Sequence, residues 1–177
     1  MDVTALVEID WQGWITALGH DPGAVGRARE VRRVARAASA PVLCTRYLSR
    51  DPADPLRSDP RGEGASFLSG LTPGAGDPVV TKYGRDVFDA PGFDQVLSSL
   101  SVGRVVLTGV ATDQGVADAA RSALARGLRV VVIGDASAGL DASAHERALR
   151  ELEAAGAVIA TAEDASRGGW WADNPIP

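Results

Sequence analysis

Lysine is almost missing from this chain of 177 residues: of its basic residues, 17 are arginine and one, Lys82, is lysine. A GC-rich coding bias replaces lysine by arginine wherever charge alone is wanted. The exception therefore invites a reason, either chance retention on a surface or a need for a compact amine that a planar guanidinium cannot replace. Cysteine is equally scarce. Cys44 alone cannot form an internal disulfide or a cysteine zinc cage, and two separated histidines, His20 and His145, leave no His-rich metal site. Positive charge is also short, with a net charge of −5 and no basic run beyond Arg27 to Arg36, so no phosphate-binding footprint is expected. No apolar run approaches the ~20 residues that span a bilayer, and the N-terminus carries no basic leader. These absences predict a cytoplasmic protein with no membrane, nucleic-acid or metal partner.

What is present is a core-forming composition, 45% hydrophobic and 23% charged, sized for a single α/β domain over residues 1–177. Short β-branched runs alternate with amphipathic stretches. Strands are predicted at Thr4–Asp10, Pro41–Tyr47, Pro78–Lys82, Arg104–Val110, Arg129–Asp135 and Ala157–Thr161. Helices are predicted at Gly23–Ser39, Gly92–Leu100, Thr112–Arg126 and Asp141–Ala155, with the arginines of the first forming a solvated face. The third opens on Thr112 or Asp113 as its N-cap. Leu48–Asp77, dense in Pro, Gly, Asp and Ser, is too long for an ordinary connection and is expected to border the site. Right-handed crossovers make this a three-layer, doubly wound, six-stranded parallel sheet, and the common order 3-2-1-4-5-6 brings Asp10 to the Gly109–Gly115 segment at the switch point.

Asp10 ends an apolar strand beside Trp11, Gln12 and Trp14. Burial there raises a carboxyl pKa and readies it as a general acid, or else the residue merely caps a turn. Cys44 lies inside an apolar strand, where a thiol is a small core hydrophobe rather than a nucleophile. The segment from Gly109 to Gly115 is not a G-x-G-x-x-G loop, so a nicotinamide or flavin cofactor has no support, and no cofactor is expected. Arg46, Arg50 and Arg85 can hold a carboxylate bidentately or stay solvated, and Trp11 and Trp14 can line a pocket or fill the core. Trp170 and Trp171, in an irregular tail with Pro175 and Pro177, are expected to pack on a neighbouring subunit or over the site mouth.

Taken together, ALVEIDWQ with Asp10, VVTKYGRDVF with Lys82, and VVLTGVATDQGVADAARSALARGLRVVVIGDASAG resemble the isochorismatase-like hydrolases, also called cysteine hydrolases. The resemblance covers most of the chain, and His145 falls where that family often has a histidine. It implies a six-stranded parallel sheet, Asp10 as acid/base with Lys82 as its electrostatic partner, a cis peptide at Val110–Ala111, and a homo-oligomer, dimer or tetramer. Gln12, Trp14, Arg46, Val110, Ala111 and Thr112 are the expected substrate-binding residues. One departure is decisive for the chemistry: Gly115 stands where amidase members carry the nucleophilic cysteine, and glycine has no atom with which to attack a carbonyl. Isochorismatases proper also have glycine there and hydrolyse a vinyl ether by protonation, although they tend to carry Tyr-Ala-His where this chain has Ala111-Thr112-Asp113. The resulting expectation is a cysteine-independent hydrolase of a small cyclic or vinyl-ether-type metabolite. A lyase or cyclase using the same pair, and an inactive binding protein, are the alternatives.

Overall fold

Residues Val3–Ile9 (β1) and Val102–Val110 (β4) are almost continuously buried, and they lie side by side in the centre of the sheet. The computed structural model describes residues 2–167 and 169–171; Pro175 and Pro177 of the tail lie outside them. Strands Val42–Tyr47 (β2) and Val79–Lys82 (β3) extend the sheet on one side, and Arg129–Ala138 (β5) and Val158–Ala160 (β6) on the other. All pairings are parallel, in the order β3-β2-β1-β4-β5-β6. Alternation along β1 sends Ala5, Val7 and Ile9 into one core and Leu6 into the other.

The first core is closed by helices Phe93–Ser99 (α4), Ala117–Ala125 (α5) and Ala142–Ala154 (α6), and the second by Gly13–Thr16 (α1), Ala24–Ala37 (α2) and Ala162–Ser166 (α7). A short helix, Pro55–Ser58 (α3), interrupts the long connection after β2. Asp141 caps α6 by accepting from the Ala144 amide at 2.8 Å, as its position before the apolar repeat predicts. Thr161 and Asp164 form a reciprocal capping box on α7, a helix that the periodicity did not reveal because it is so short. Among the described residues, no helix is long and apolar enough to cross a membrane.

Several expectations need correction. The predicted helix from Thr112 is a wide turn first, Thr112–Val116, in which the Val116 amide reaches back to the Ala111 carbonyl at 3.2 Å and Gln114 leaves helical geometry (φ −131°, ψ −105°). Neither predicted cap acts on it: Thr112 faces His145, and Asp113 accepts from the Leu140 amide. The arginine face of α2 is not wholly solvated, since Arg32 is buried against Glu8. The two tail tryptophans pack on their own chain. Trp171 Nε1 donates to the Ala165 carbonyl at 3.0 Å, and the Trp170 carbonyl accepts from Arg104, near the start of β4 and at the opposite end of the sheet from Asp10.

Candidate functional site

Parallel register places the carboxyl ends of β1 and β4 together, with Ile9 opposite Gly109, so Asp10 emerges beside the Val110–Ala111 peptide, which is cis. Close approach of the two strands depends on Gly109: a Cβ there would stand 2.3 Å from the Ile9 carbonyl oxygen, at a φ of +148°. Lys82, at the end of β3, reaches across β2 and sets its Nζ 2.6 Å from Asp10 Oδ2. Its remaining protons go to the carbonyls of Arg85 (2.9 Å) and Gly84 (3.2 Å). Thr45 of β2 donates its hydroxyl to Asp10 Oδ1 at 2.7 Å and accepts the Asp10 amide at 3.2 Å. Both members of the ion pair are almost completely shielded from solvent.

Burial pushes the Asp10 carboxyl above its ordinary range, against the pull of the Lys82 ammonium and the Thr45 hydroxyl. Asp10 also holds a left-handed backbone conformation (φ 54°), one that aspartate tolerates better than most residues and that turns its carboxylate inward from the strand end.

The pair forms the floor of a cavity of about 230 Å³. Gly115 shares that floor. A Cβ on it would lie 3.6 Å from Lys82 Nζ, with the Arg85 carbonyl oxygen and Ile9 Cγ2 each at 3.3 Å. Ile15, Leu18, Val110 and Leu140 make an apolar wall, Trp14 and Tyr47 supply aromatic faces, and Arg57 and Arg85 stand among the lining residues. The Arg57 guanidinium lies over the Trp14 ring at 5.3 Å and is oriented by Asp54. The lining carries three cationic side chains and one carboxylate, and just outside it Asp54 pairs with Arg57 and Asp118 lies 3.9 Å from Arg85.

The sequence-predicted residues divide. Asp10, Lys82, Gly115, Trp14, Val110 and Ala111 come together around the cavity, whereas Gln12, Arg46 and Thr112 are outside its lining. Gln12 is a buried clamp: its amide nitrogen donates to the carbonyls of Gly64 (2.6 Å) and Tyr47 (3.0 Å), and its oxygen accepts from the Tyr47 amide (2.6 Å). Trp14 Nε1 donates to the same Gly64 carbonyl at 3.0 Å, so Gln12 and Gly64 together set the positions of Trp14 and Tyr47. Arg46 is bonded to Thr81 Oγ1 (2.9 Å) and the Pro60 carbonyl (3.3 Å), Arg50 stacks on Tyr83 at 4.7 Å beside a neighbouring cleft, and Trp11 is core, its Nε1 3.3 Å from Thr108 Oγ1.

Sequence reasoning missed Arg57, Tyr47 and Thr45. The only signal for Arg57 was its place in the long connection, which was expected to border the site. Cys44 lies between Glu8 and Arg32 with its thiol pushed up to about 12, first by burial and then by the nearby Glu8 charge, which leaves it unreactive. Among the described residues, no three His, Cys, Asp or Glu side chains are grouped to hold a metal ion.

Comparison with known proteins agrees with this fold. The chain superposes on an isochorismatase family protein from Burkholderia thailandensis with a TM-score of 0.82 at 28% identity, covering 93% of this chain and 96% of that one. An isochorismatase-like hydrolase from Alkaliphilus metalliredigens matches with a TM-score of 0.81 at 20% identity over 93% and 98% of the two chains. A ribonuclease from Caenorhabditis elegans shares the fold, with a TM-score of 0.75 at 22% identity over 95% and 82%. The sequence profile of the isochorismatase domain matches residues 4–164, nearly the whole of the sheet and its helices, and the chain belongs to the isochorismatase family.

Proposed function

We propose that this protein is a hydrolase of a small cyclic or vinyl-ether-type metabolite, acting through Asp10 and Lys82 without a thiol nucleophile. The observation that carries this reading is that Gly115, which has no reactive atom, lines the same cavity as the buried Asp10–Lys82 pair. Among the described residues, the only groups with a proton to give or take at that end of the cavity are then the carboxyl and the ammonium of the pair. Thiol-dependent acyl transfer has no nucleophile at this position, while proton transfer needs only the acid and a place for the substrate.

In the proposed reaction, Asp10 enters protonated, a state that its burial favours. The proton passes to the terminal carbon of the enol ether, and the ether carbon becomes an oxocarbenium. Water adds to that carbon, its proton returns to the Asp10 carboxylate, and the hemiketal breaks into a ketone and an alcohol. Lys82, fixed by two carbonyls as well as by Asp10, stabilises the carboxylate between the two proton transfers. A positioned acid contributes typically ~10²–10⁴-fold, and orientation supplies more. Arg57 and Arg85 favour an anionic substrate, with Trp14 and Tyr47 against its ring.

We also propose that the chain works as a homo-oligomer. Leu18 and Leu140 belong to the cavity wall yet are 53% and 43% exposed, and Leu56, on the helix that presents Arg57, is 51% exposed, so a second copy would cover an apolar rim.

The chemistry is tested by assaying isochorismate and nicotinamide with the native chain, Asp10→Asn and Gly115→Cys. The expected result is turnover of the vinyl ether that falls by at least about 10²-fold in Asp10→Asn, with no amide cleavage by the native chain. Silence of the native chain on both substrates, with amide cleavage arising only in Gly115→Cys, would overturn the proposal in favour of an inactive binding protein or a different reaction.

A further inference from the structure

His20 and His145 come from different parts of the chain, the α1–α2 connection and the first turns of α6. Their rings nonetheless face each other, with centroids 4.9 Å apart and planes tilted by 49°. Neither belongs to the Asp10–Lys82 pair. Each is bonded into a segment adjoining the cavity wall. His145 Nδ1 lies 2.9 Å from the Thr112 hydroxyl, in the turn that continues from Val110 and Ala111. His20 Nδ1 lies 3.1 Å from both the carbonyl and the amide of Gly139, and the His20 amide donates to the same carbonyl at 2.9 Å. The next residue, Leu140, gives its amide to Asp113 Oδ1 at 3.0 Å. Gly139 makes the junction tight: a Cβ on it would stand 2.9 Å from both Asp113 Oδ1 and His145 Cβ. Three segments thus meet at the two rings, and two of them present Leu18 and Leu140 to the cavity.

We propose that His20 and His145 are positioning residues of the candidate site, a clasp that holds the Leu18–Leu140 side of the cavity in place while the rings are neutral and releases it when both take up a proton. Two positive rings 4.9 Å apart repel, His145 from a half-buried position and His20 from an exposed one that water partly screens. The groups facing His145 are His20 from the α1–α2 connection, Asp113 from the turn after β4, Glu146 from its own helix and Asp21 beside His20. Burial, and then His20, hold the His145 imidazole below its ordinary 6.5, and the three acids only partly offset them. A histidine whose folded value is depressed takes up its proton more readily in the released state. The clasp is therefore intact above pH 6.5 and is lost as pH falls towards the folded value.

The test needs no substrate, so its outcome is independent of the chemistry proposed for Asp10. Amide hydrogen exchange is followed by NMR in the native chain, His145→Gln and His20→Gln at about pH 7.5 and about pH 5, corrected for intrinsic rates. Glutamine keeps a polar partner for Thr112 or Gly139 but cannot take up a proton. In the native chain, exchange at the His20 and Leu140 amides is expected to rise about tenfold at the lower pH relative to Val131 in the centre of β5, and both variants are expected to lose that rise. Unchanged protection in the native chain, or the same rise in either folded variant, would overturn the proposal. Should one variant fail to fold, the other carries the test, because repulsion requires both charges.

Discussion

Lys82 sends its three protons to three acceptors at once, Asp10 Oδ2, the Arg85 carbonyl and the Gly84 carbonyl, in a space walled by the sheet. An ammonium at the end of a thin stem can converge on three points in this way, whereas a guanidinium is longer, flat and forked. Lys82→Arg should therefore cost roughly 1–3 kcal/mol by overpacking, measured by urea unfolding, and should abolish whatever activity the native chain shows; a fully active Lys82→Arg would remove the compact-amine argument. Gly115→Cys is milder. Its Cβ would need the Arg85 carbonyl or Ile9 to move a few tenths of an ångström, and its thiol would sit near the Lys82 ammonium, so the variant should fold and react with iodoacetamide faster than the buried Cys44. Asp10 and Lys82 were legible in the sequence because one ends an apolar strand and the other is the chain's only lysine. Thr45 and Arg57 were not, because nothing in a single threonine or one arginine among 17 says which neighbour folding will bring to it.

Among the elements, α2 shows most clearly where periodicity stops informing. Period predicts a half-buried helix with Val25, Val31, Val34 and Ala38 on the apolar face, and a half-buried helix forms, but its buried stripe is Ala24, Ala28, Val31 and Ala35, with Val25 and Val34 half-buried and Ala38 exposed. The same pattern assigns Arg32 to solvent, yet its guanidinium is folded under the long connection. There it donates to both Glu8 oxygens, with Nε at 3.0 Å from each, and to the carbonyls of Leu71 (2.9 Å) and Thr72 (2.7 Å). Arg29 and Arg36 bond the same connection at the Ser69 carbonyl and at Asp77, so α2 is the post to which this side of the connection is tied. Arg32→Met should cost about 3–5 kcal/mol at neutral pH, because it leaves Glu8 charged and buried without its partner.

The sign of the pH dependence follows from burial. Glu8 is already held above its ordinary 4.5 by desolvation despite Arg32, and without Arg32 it rises further. Stability of the variant is then greatest below 4.5, where Glu8 is protonated in both states, and is lost as pH rises through the folded value. Urea midpoints at acid and neutral pH should show the gap between native and Arg32→Met chains narrowing as pH falls. A gap that stays constant would mean that Glu8 does not carry the effect. The wide turn at Thr112–Val116 was illegible for a related reason: its residues suit a helix, and what ties them elsewhere is the long-range bonding of Thr112 to His145 and of Asp113 to the Leu140 amide.

On the scale of the whole molecule, the tail closes the core at the end of the sheet away from the site. Trp171 is buried in the second core and donates to the Ala165 carbonyl of α7, and the Trp170 carbonyl accepts from the buried Arg104. Truncation before Trp170 should lower the midpoint of thermal unfolding, with a loss comparable to the ~3–5 kcal/mol of a buried tryptophan deletion, while the cavity keeps its ligand affinity. A truncated chain of native stability would contradict this packing. For the proposed oligomer, sedimentation velocity of Leu18→Asp,Leu140→Asp beside the native chain should show a smaller species for the variant; a native chain that sediments as a monomer at all concentrations would sink the idea.

Strand identity and the parallel, doubly wound class were determined by the sequence alone, because hydrophobic period and the right-handed crossover leave few topologies open; the strand order, and with it the placement of Asp10 near Gly109, was only the common choice until the structure decided it. That Asp10, Lys82 and Gly115 belong together was implied in the sequence by the family resemblance of their segments. Tertiary structure alone decided which arginines meet water, which tryptophans line a cavity and which polar side chain serves as a clamp. Those outcomes depend on loops whose residues satisfy their hydrogen bonds at long range: Gln12 at Gly64, Arg32 at Leu71, His20 at Gly139. A local pattern cannot encode such partners, since each becomes a partner only after the sheet has brought it within 3 Å or so of its donor.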